Sequence, residues 1–230
     1  MARLEFTKQL NDMEALVSRF GEKCAADVRA AGLAASGDKG AEKGILEGRK
    51  AAERLRANIE SNCLDTMLLQ QPLVGADLRF VSATFRLVSD LAQIDGMTRD
   101  VAYIMSELPK KASTRLSDTF MAMSARAAAM VESSVKAFNE SNADLANEVI
   151  ASDEELDRMY AEAQDAIVEL IKAGKPSPKS LPELLMIAKY FERIGDHAQR
   201  IADWATFRVT VERILTGGDH SVDDAVESEQ

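Results

Sequence analysis

The sequence predicts an all-α fold of two tandem three-helix-bundle repeats related by pseudo-twofold symmetry. Three observations carry this. The 230 residues include 35 alanines and ten methionines but only five prolines and 5% aromatics, a bias toward helix formers and away from the aromatic and β-branched residues of strands. Apolar residues recur every three or four positions in six successive segments, as they do on the buried face of a helix. The six segments fall into two sets of three, an internal repeat of roughly 100 residues.

The first segment carries Phe6, Leu10, Met13, Val17, Phe20, Cys24 and Val28, and stops at the breaker cluster Ser36-Gly37-Asp38-Lys39-Gly40. The second runs from Ile45 through Leu55, Ile59, Cys63 and Met67 and ends before Gln71-Pro72. In the third the stripe is Leu78, Val81, Phe85, Val88, Leu91, Ile94, Val101 and Met105, closed by Leu108-Pro109-Lys110-Lys111. The fourth shows Leu116, Phe120, Met123, Met130 and Ala137, after which Ser141-Asn142 offers a helix cap. The fifth uses Leu145, Val149, Leu156, Met159, Ala163, Ile167 and Leu170, and Ala173-Gly174-Lys175-Pro176-Ser177-Pro178 stops it. The sixth carries Leu184, Ile187, Phe191, Ile194, Ala198, Ile201 and Ala205 and is expected to continue to Leu215. Phe191, Ile194 and Ile201 align with Leu91, Ile94 and Val101 in the last helix of the first half. The expected units are therefore residues 1–109 and 110–215, followed by an acidic, disordered tail over residues 216–230.

The charge narrows the partners. With 28 basic against 38 acidic residues the net charge is -10, which leaves no basic footprint for a phosphate backbone, so direct nucleic-acid binding is not expected. The longest apolar runs, such as Leu184 to Ala188, fall far short of a bilayer span, so no membrane insertion is expected. Met1-Ala-Arg-Leu-Glu opens no apolar stretch, so no secretory signal is expected either. Cys24 and Cys63 occupy helical core positions and read as buried thiols of a reducing compartment. The reading is a cytoplasmic protein.

Catalytic constellations are missing. The chain has no glycine-rich phosphate loop, no His-Glu-x-x-His and no paired-cysteine zinc spacing. What stands out is two carboxylate pairs at i, i+4: Asp153 with Asp157, and Glu192 with Asp196. Four residues advance a helix by about 400°, so each pair shares a face and repels by a few tenths of a kcal/mol. Each reads first as a solvated acidic face, with Arg193 and Arg200 available for surface pairing. A hard divalent or trivalent cation on carboxylate oxygens is the other compensation. Gly195, inside the last helix, costs about 1 kcal/mol against alanine and points to a close helix approach or a functional need. His197 reads as a partly buried packing or hydrogen-bonding histidine.

Gln70-Gln71-Pro72 followed by Asp77-Leu78-Arg79 and a long helix, and Phe191-Glu192-Arg193-Ile194-Gly195-Asp196-His197-Ala198 followed by Ile201-Ala202-Asp203, resemble the two repeat signatures of the PhoU family. The resemblance spans about Leu4 to Leu215. It implies a non-enzymatic, cytoplasmic negative regulator of phosphate uptake and phosphate-starvation signalling. It also implies partners: the phosphate ABC transporter's ATPase subunit, the phosphate-sensing histidine kinase, and a second copy in a homodimer. Carried over by position, the family's acidic motifs place a metal, iron or else zinc, manganese or magnesium, on Asp153, Asp157, Glu192 and Asp196, with Asp203 a weaker candidate.

The first half departs from that pattern. Ala92-Gln93-Ile94-Asp95-Gly96 stands where the family has Glu-Arg-Ile-Gly-Asp, and Arg49 and Glu53 stand near the earlier acidic pair. Asp90 and Asp95 remain close by without i, i+4 spacing. The first metal site is thus expected to be degenerate. Two other readings remain: a metal-free helical scaffold for another partner, and a carboxylate-bridged metal oxidase. The oxidase is disfavoured because neither His197 nor His220 stands three residues after a glutamate.

Overall fold

The structure, a computed structural model, describes residues 2–70, 72–109, 112–174 and 180–209. These form helices α1 (Ala2–Ala35), α2 (Lys39–Glu47), α3 (Arg49–Leu69), α4 (Gly75–Glu107), α5 (Ser117–Glu140), α6 (Ala143–Lys172) and α7 (Leu181–Val209), with no strand among the described residues. The expected continuation to Leu215 and the acidic tail lie outside the described residues.

The first half has one more helix than expected. The predicted second helix is two: α2 begins at Lys39, where the Asp38 carboxylate caps it by accepting from the amides of Gly40 and Ala41 (2.8 and 3.1 Å), and it breaks from α3 at Gly48. Gly44 and Gly48, one turn apart, weaken the helix there. The predicted cap before α6 is present: Ser141 takes left-handed backbone (φ 52°) and the Asn142 side chain accepts from the Leu145 amide at 3.0 Å.

Helices α1, α4, α5 and α7 pack together at the centre, with α2 and α3 laid against α1 and α4, and α6 against α5 and α7. The burial pattern repeats position by position. Met13, Val17, Phe20, Cys24 and Val28 of α1 recur as Leu116, Phe120, Met123, Ala127 and Val131 at the start of and along α5, all buried. Ala52, Ile59, Cys63 and Thr66 of α3 recur as Leu156, Ala163, Ile167 and Leu170 of α6. Leu91, Ile94 and Val101 of α4 recur as Phe191, Ile194 and Ile201, all fully buried, as the alignment of the last helices predicted. The α4 stripe needs one correction. Leu78 (44% exposed) and Phe85 (37%) face outward, and Phe80, Thr84 and Leu87 are buried instead. At about 100° per residue Leu78 and Phe85 share one flank of α4, and it is an exposed one.

The pseudo-twofold is visible at the α1–α5 crossing. A Cβ at Gly21 would lie 2.8 Å from Val135 Cγ2, and one at Gly32 would lie 1.9 Å from Ser124 Oγ and 2.7 Å from its Cβ. In the repeat register Gly21 corresponds to Ser124 and Gly32 to Val135, so these two close approaches are mates, each with one glycine. At one end of the bundle Arg208 of α7 joins three helices. Its Nη1 donates to the Phe138 and Asn139 carbonyls ending α5 (2.7 and 3.2 Å) and its Nη2 to Glu14 of α1 (2.7 Å). The guanidinium lies 4.4 Å over the Phe80 ring, so it satisfies helix-end carbonyls while capping an aromatic surface. Cys24 and Cys63 are free and buried, as expected, and burial pushes the Cys63 thiol up to about 12, where it is unreactive.

Candidate functional site

The four predicted metal ligands come from α6 and α7, and Gly195 decides how closely those helices meet. A Cβ there would lie 2.5 Å from Leu156 Cδ2 and 3.0 Å from Asp153 Oδ1, so the missing side chain lets the Asp153 carboxylate rest on α7. The expected close approach is therefore real. Glu192 is buried; its Oε1 accepts from Lys189 Nζ at 2.5 Å, while Oε2 is buried with no hydrogen-bond partner. Asp153 and Asp196 are half-buried and Asp157 is exposed. Burial pushes the Asp153 carboxyl up to about 6, and Asp157, Asp196 and Glu192 push in the same direction. Each of the four thus feels, or imposes, like charge in one neighbourhood.

They are not a finished coordination shell. Among the described residues, no three Asp, Glu, His or Cys side chains are gathered closely enough to hold an ion. The donor set is all carboxylate oxygen, suited to a hard cation, and the orphaned Glu192 Oε2 and the strained Asp153 are what such a cation would relieve. Asp203, the weaker candidate, does not join the group electrostatically felt by Asp153; it lines an open cavity of about 440 Å³ between α4 and α7 with Arg86, Ser89, Asp90, Arg200 and Trp204.

An expected result follows for the metal-free protein. In the unfolded chain Asp153 titrates near 3.8, and in the folded chain near 6. The folded state therefore gains stability as pH falls through that window, and carries the full repulsion above it. Asp153→Asn should raise Tm by a few degrees at pH 7 and by progressively less below pH 6, read by thermal denaturation in chelator. An equal shift at pH 4 and pH 7 would count against the repulsion.

The pseudo-equivalent position in the first half is self-neutralised. Arg49, Glu53, Ala92 and Gly96 take the places of Asp153, Asp157, Glu192 and Asp196, and Asp95 stands where Gly195 does. Asp95 is 4% exposed, accepting from Arg99 Nε at 3.0 Å with Lys23 Nζ 3.5 Å away; Lys23 also pairs with Asp27. Gly48 leaves room for that ammonium, since a Cβ there would lie 3.2 Å from Nζ. Arg49 pairs with Glu53 at 2.7 Å. Ala52, smaller than its counterpart Leu156, occupies the matching place in the α3 stripe and is buried. The Lys23 counterpart, Arg126, is turned to Glu155 (2.5 Å). These residues fit no metal: three fixed cations already sit among the carboxylates.

Sequence reasoning missed a second polar network. Asp90 of α4 accepts from Trp204 Nε1 (3.2 Å) and pairs with His197 Nδ1 (2.8 Å), joining the two halves. His197 is thus the buried hydrogen-bonding histidine expected, but its partner lies 107 positions away, beyond any local pattern.

With this geometry in hand, comparison with known proteins is decisive. Residues 120–205, which include all four carboxylates and Gly195, match the family model described as PhoU domain. That stretch is similar to a PhoU domain. The resemblance to the PhoU family read from the sequence is borne out, and it extends along the chain. The chain is 25% identical over 213 residues to "Phosphate-specific transport system accessory protein PhoU homolog 1" of Methanothermobacter thermautotrophicus, covering 92% of this chain and 97% of that protein. The PhoU homolog of Pseudomonas aeruginosa is 26% identical over 210 residues, covering 89% of this chain and 85% of its own. Among solved structures, the phosphate transport system regulatory protein PhoU from Streptococcus pneumoniae superposes with a TM-score of 0.79 at 25% identity, covering 89% of this chain and 97% of that one. PhoU from P. aeruginosa gives 0.72, also at 25% identity, covering 90% and 97%. These PhoU proteins are named as accessory or regulatory proteins and not as enzymes, in agreement with the non-enzymatic reading. No described helix is long and apolar enough to cross a membrane.

Proposed function

We propose that this PhoU-like protein is a cytoplasmic negative regulator of phosphate uptake and phosphate-starvation signalling. It works as a homodimeric adaptor to the phosphate ABC transporter's ATPase subunit and to the phosphate-sensing histidine kinase. The observation that carries this reading is the similarity to a PhoU domain over residues 120–205, joined to likeness over nine-tenths of the chain with accessory proteins of phosphate-specific transport. A helical surface, rather than an enclosed cleft, is the working part. Deleting the gene should leave starvation reporters switched on in high phosphate; unchanged repression would refute the reading.

In the second repeat Asp153, Asp157, Glu192 and Asp196 would hold a metal, iron or else zinc, manganese or magnesium. Its chemistry there is charge neutralisation, drawing α6 and α7 together at the exposed face beside Gly195. The support is the uncompensated acid of that face and the orphaned Glu192 Oε2. The first repeat would hold none, because Lys23, Arg49 and Arg99 occupy it. Elemental analysis should find metal lost from Asp196→Ala; metal content unchanged in that variant, or a second metal site occupied in the wild-type chain, would refute the assignment to one repeat.

A further inference from the structure

The cation on Glu192 is held differently from the one on Asp95. Lys189 and Glu192 both belong to α7, three residues apart, and Lys189 Nζ donates to Glu192 Oε1 at 2.5 Å. The lysine side chain is 38% exposed and the glutamate side chain only 12%. On its other side the ammonium lies 5.0 Å from the centroid of the Tyr160 ring of α6, a cation–π contact that keeps it over the α6–α7 seam without a second carboxylate. In the first repeat the cation is Lys23, which α1 brings to Asp95 of α4 and which also pairs with Asp27. There the lysine and Asp95 side chains are 17% and 5% exposed, and Arg99 shares Asp95. Lys189 has no counterpart in that repeat: Ser89 stands at its place, and Arg56 stands at the place of Tyr160.

One half-exposed lysine does not neutralise four carboxylates. It satisfies Glu192 Oε1 and leaves Oε2 buried without a partner, while Asp157, Asp196 and Glu192 all act on Asp153 with the same sign. An i, i+3 pair at a helix surface is weak, and Lys189 can leave Glu192 by rotating its own flexible side chain toward water, with neither helix moving. Lys23 has no such freedom, because it is buried between carboxylates on two helices. A fixed cation closes the first repeat; a removable one leaves the second open. We infer that Lys189 is the resident counter-cation of the second-repeat carboxylates: it holds Glu192 in the metal-free protein and gives up Oε1 when a metal takes that oxygen. Lys189 therefore sets the metal affinity, since its charge and its hydrogen bond both oppose binding. The inference rests on the metal reading above and adds to it a residue that is not a ligand.

The test is calorimetric titration of the full-length, chelator-washed chain with Mn²⁺ alone. Lys189→Met and Lys189→Gln should each bind Mn²⁺ about tenfold more tightly than the wild type, and Lys189→Arg, which keeps the cation, should stay close to the wild type. Lys172→Met removes the same charge from the exposed pair with Glu169 (2.7 Å) at the C-terminal end of α6 and should leave the affinity unchanged. In chelator Lys189→Met should lower Tm, because Glu192 is left buried without a cation, and saturating Mn²⁺ should erase that deficit. A deficit that Mn²⁺ does not erase would mean that Lys189 acts only by packing on Tyr160, and would overturn the inference. Lys189→Met and Lys189→Gln variants that bind Mn²⁺ no more tightly than the wild type, or a Lys172→Met variant that tightens as much as they do, would overturn it while leaving the metal reading intact. A wild-type chain that takes up no Mn²⁺, or takes it up equally after Asp196→Ala, would overturn the metal reading and the inference with it.

Discussion

Replacing Gly32 by valine is expected to cost about 3 kcal/mol of folding stability, the upper end of the usual range for overpacking. The new Cβ would enter Ser124, 1.9 Å from Oγ and 2.7 Å from Cβ, with the Met121 Cα only 3.5 Å away. A hydroxyl can rotate; a Cβ on a packed helix cannot, so α1 and α5 must part along the contact that joins the two repeats. The gain in helix propensity on losing a glycine, under about 1 kcal/mol, offsets little of this. The pseudo-twofold supplies its own rescue. Ser124→Gly in the same chain rebuilds the valine–glycine pair already present at Val135 and Gly21, and should recover about 2 kcal/mol. Urea denaturation followed by circular dichroism and Trp204 fluorescence reads both. A Gly32→Val protein as stable as the wild type, or no recovery in the double variant, would remove the symmetric-crossing argument.

Lys23→Met should cost about 2–3 kcal/mol, somewhat less than the usual penalty for breaking a buried ion pair because Arg99 stays on Asp95. Burial opposes the Lys23 ammonium, but Asp27 and Asp95 more than compensate and raise its pKa. Burial also pushes the Asp27 carboxyl up, and Lys23 is what holds it down. Without the lysine, Asp27 moves further up. A carboxyl whose folded pKa is raised contributes stability at low pH that is lost as pH rises through it, so the deficit of the variant should shrink on acidification. Asp27→Asn in the same chain should restore most of the loss at pH 7. A deficit independent of pH would mean that Lys23 acts through packing alone.

The two sites show how far local pattern reaches. The i, i+4 carboxylates were legible because helical periodicity places them on one face. That α6 brings Asp153 onto α7 was foreshadowed only by Gly195, a residue whose cost in a helix asks for a reason. The first-half cluster was half legible: the loss of acid at Ala92 and Gly96 is plain in the sequence. The substitute cation is not, because Lys23 and Asp27 by themselves look like a surface pair until Asp95 arrives from α4. The break at Gly48 and the outward flank of α4 escaped for a similar reason. Two glycines a turn apart read as tolerable within a helix, and leucine and phenylalanine at helical spacing read as core.

The sequence by itself determined that the chain is helical, that it is built twice over, and that acid concentrates in its second half. These follow from composition and from the 3.6-residue period, which act along the chain. Only the tertiary structure decided which glycines let helices touch, that Asp90 meets His197 and Trp204 across the two halves, that Lys23 neutralises the first repeat, and that Leu78 and Phe85 face solvent. Each of these depends on which helix covers which flank. That is set by the packing of side chains far apart in the chain, where periodicity carries no information.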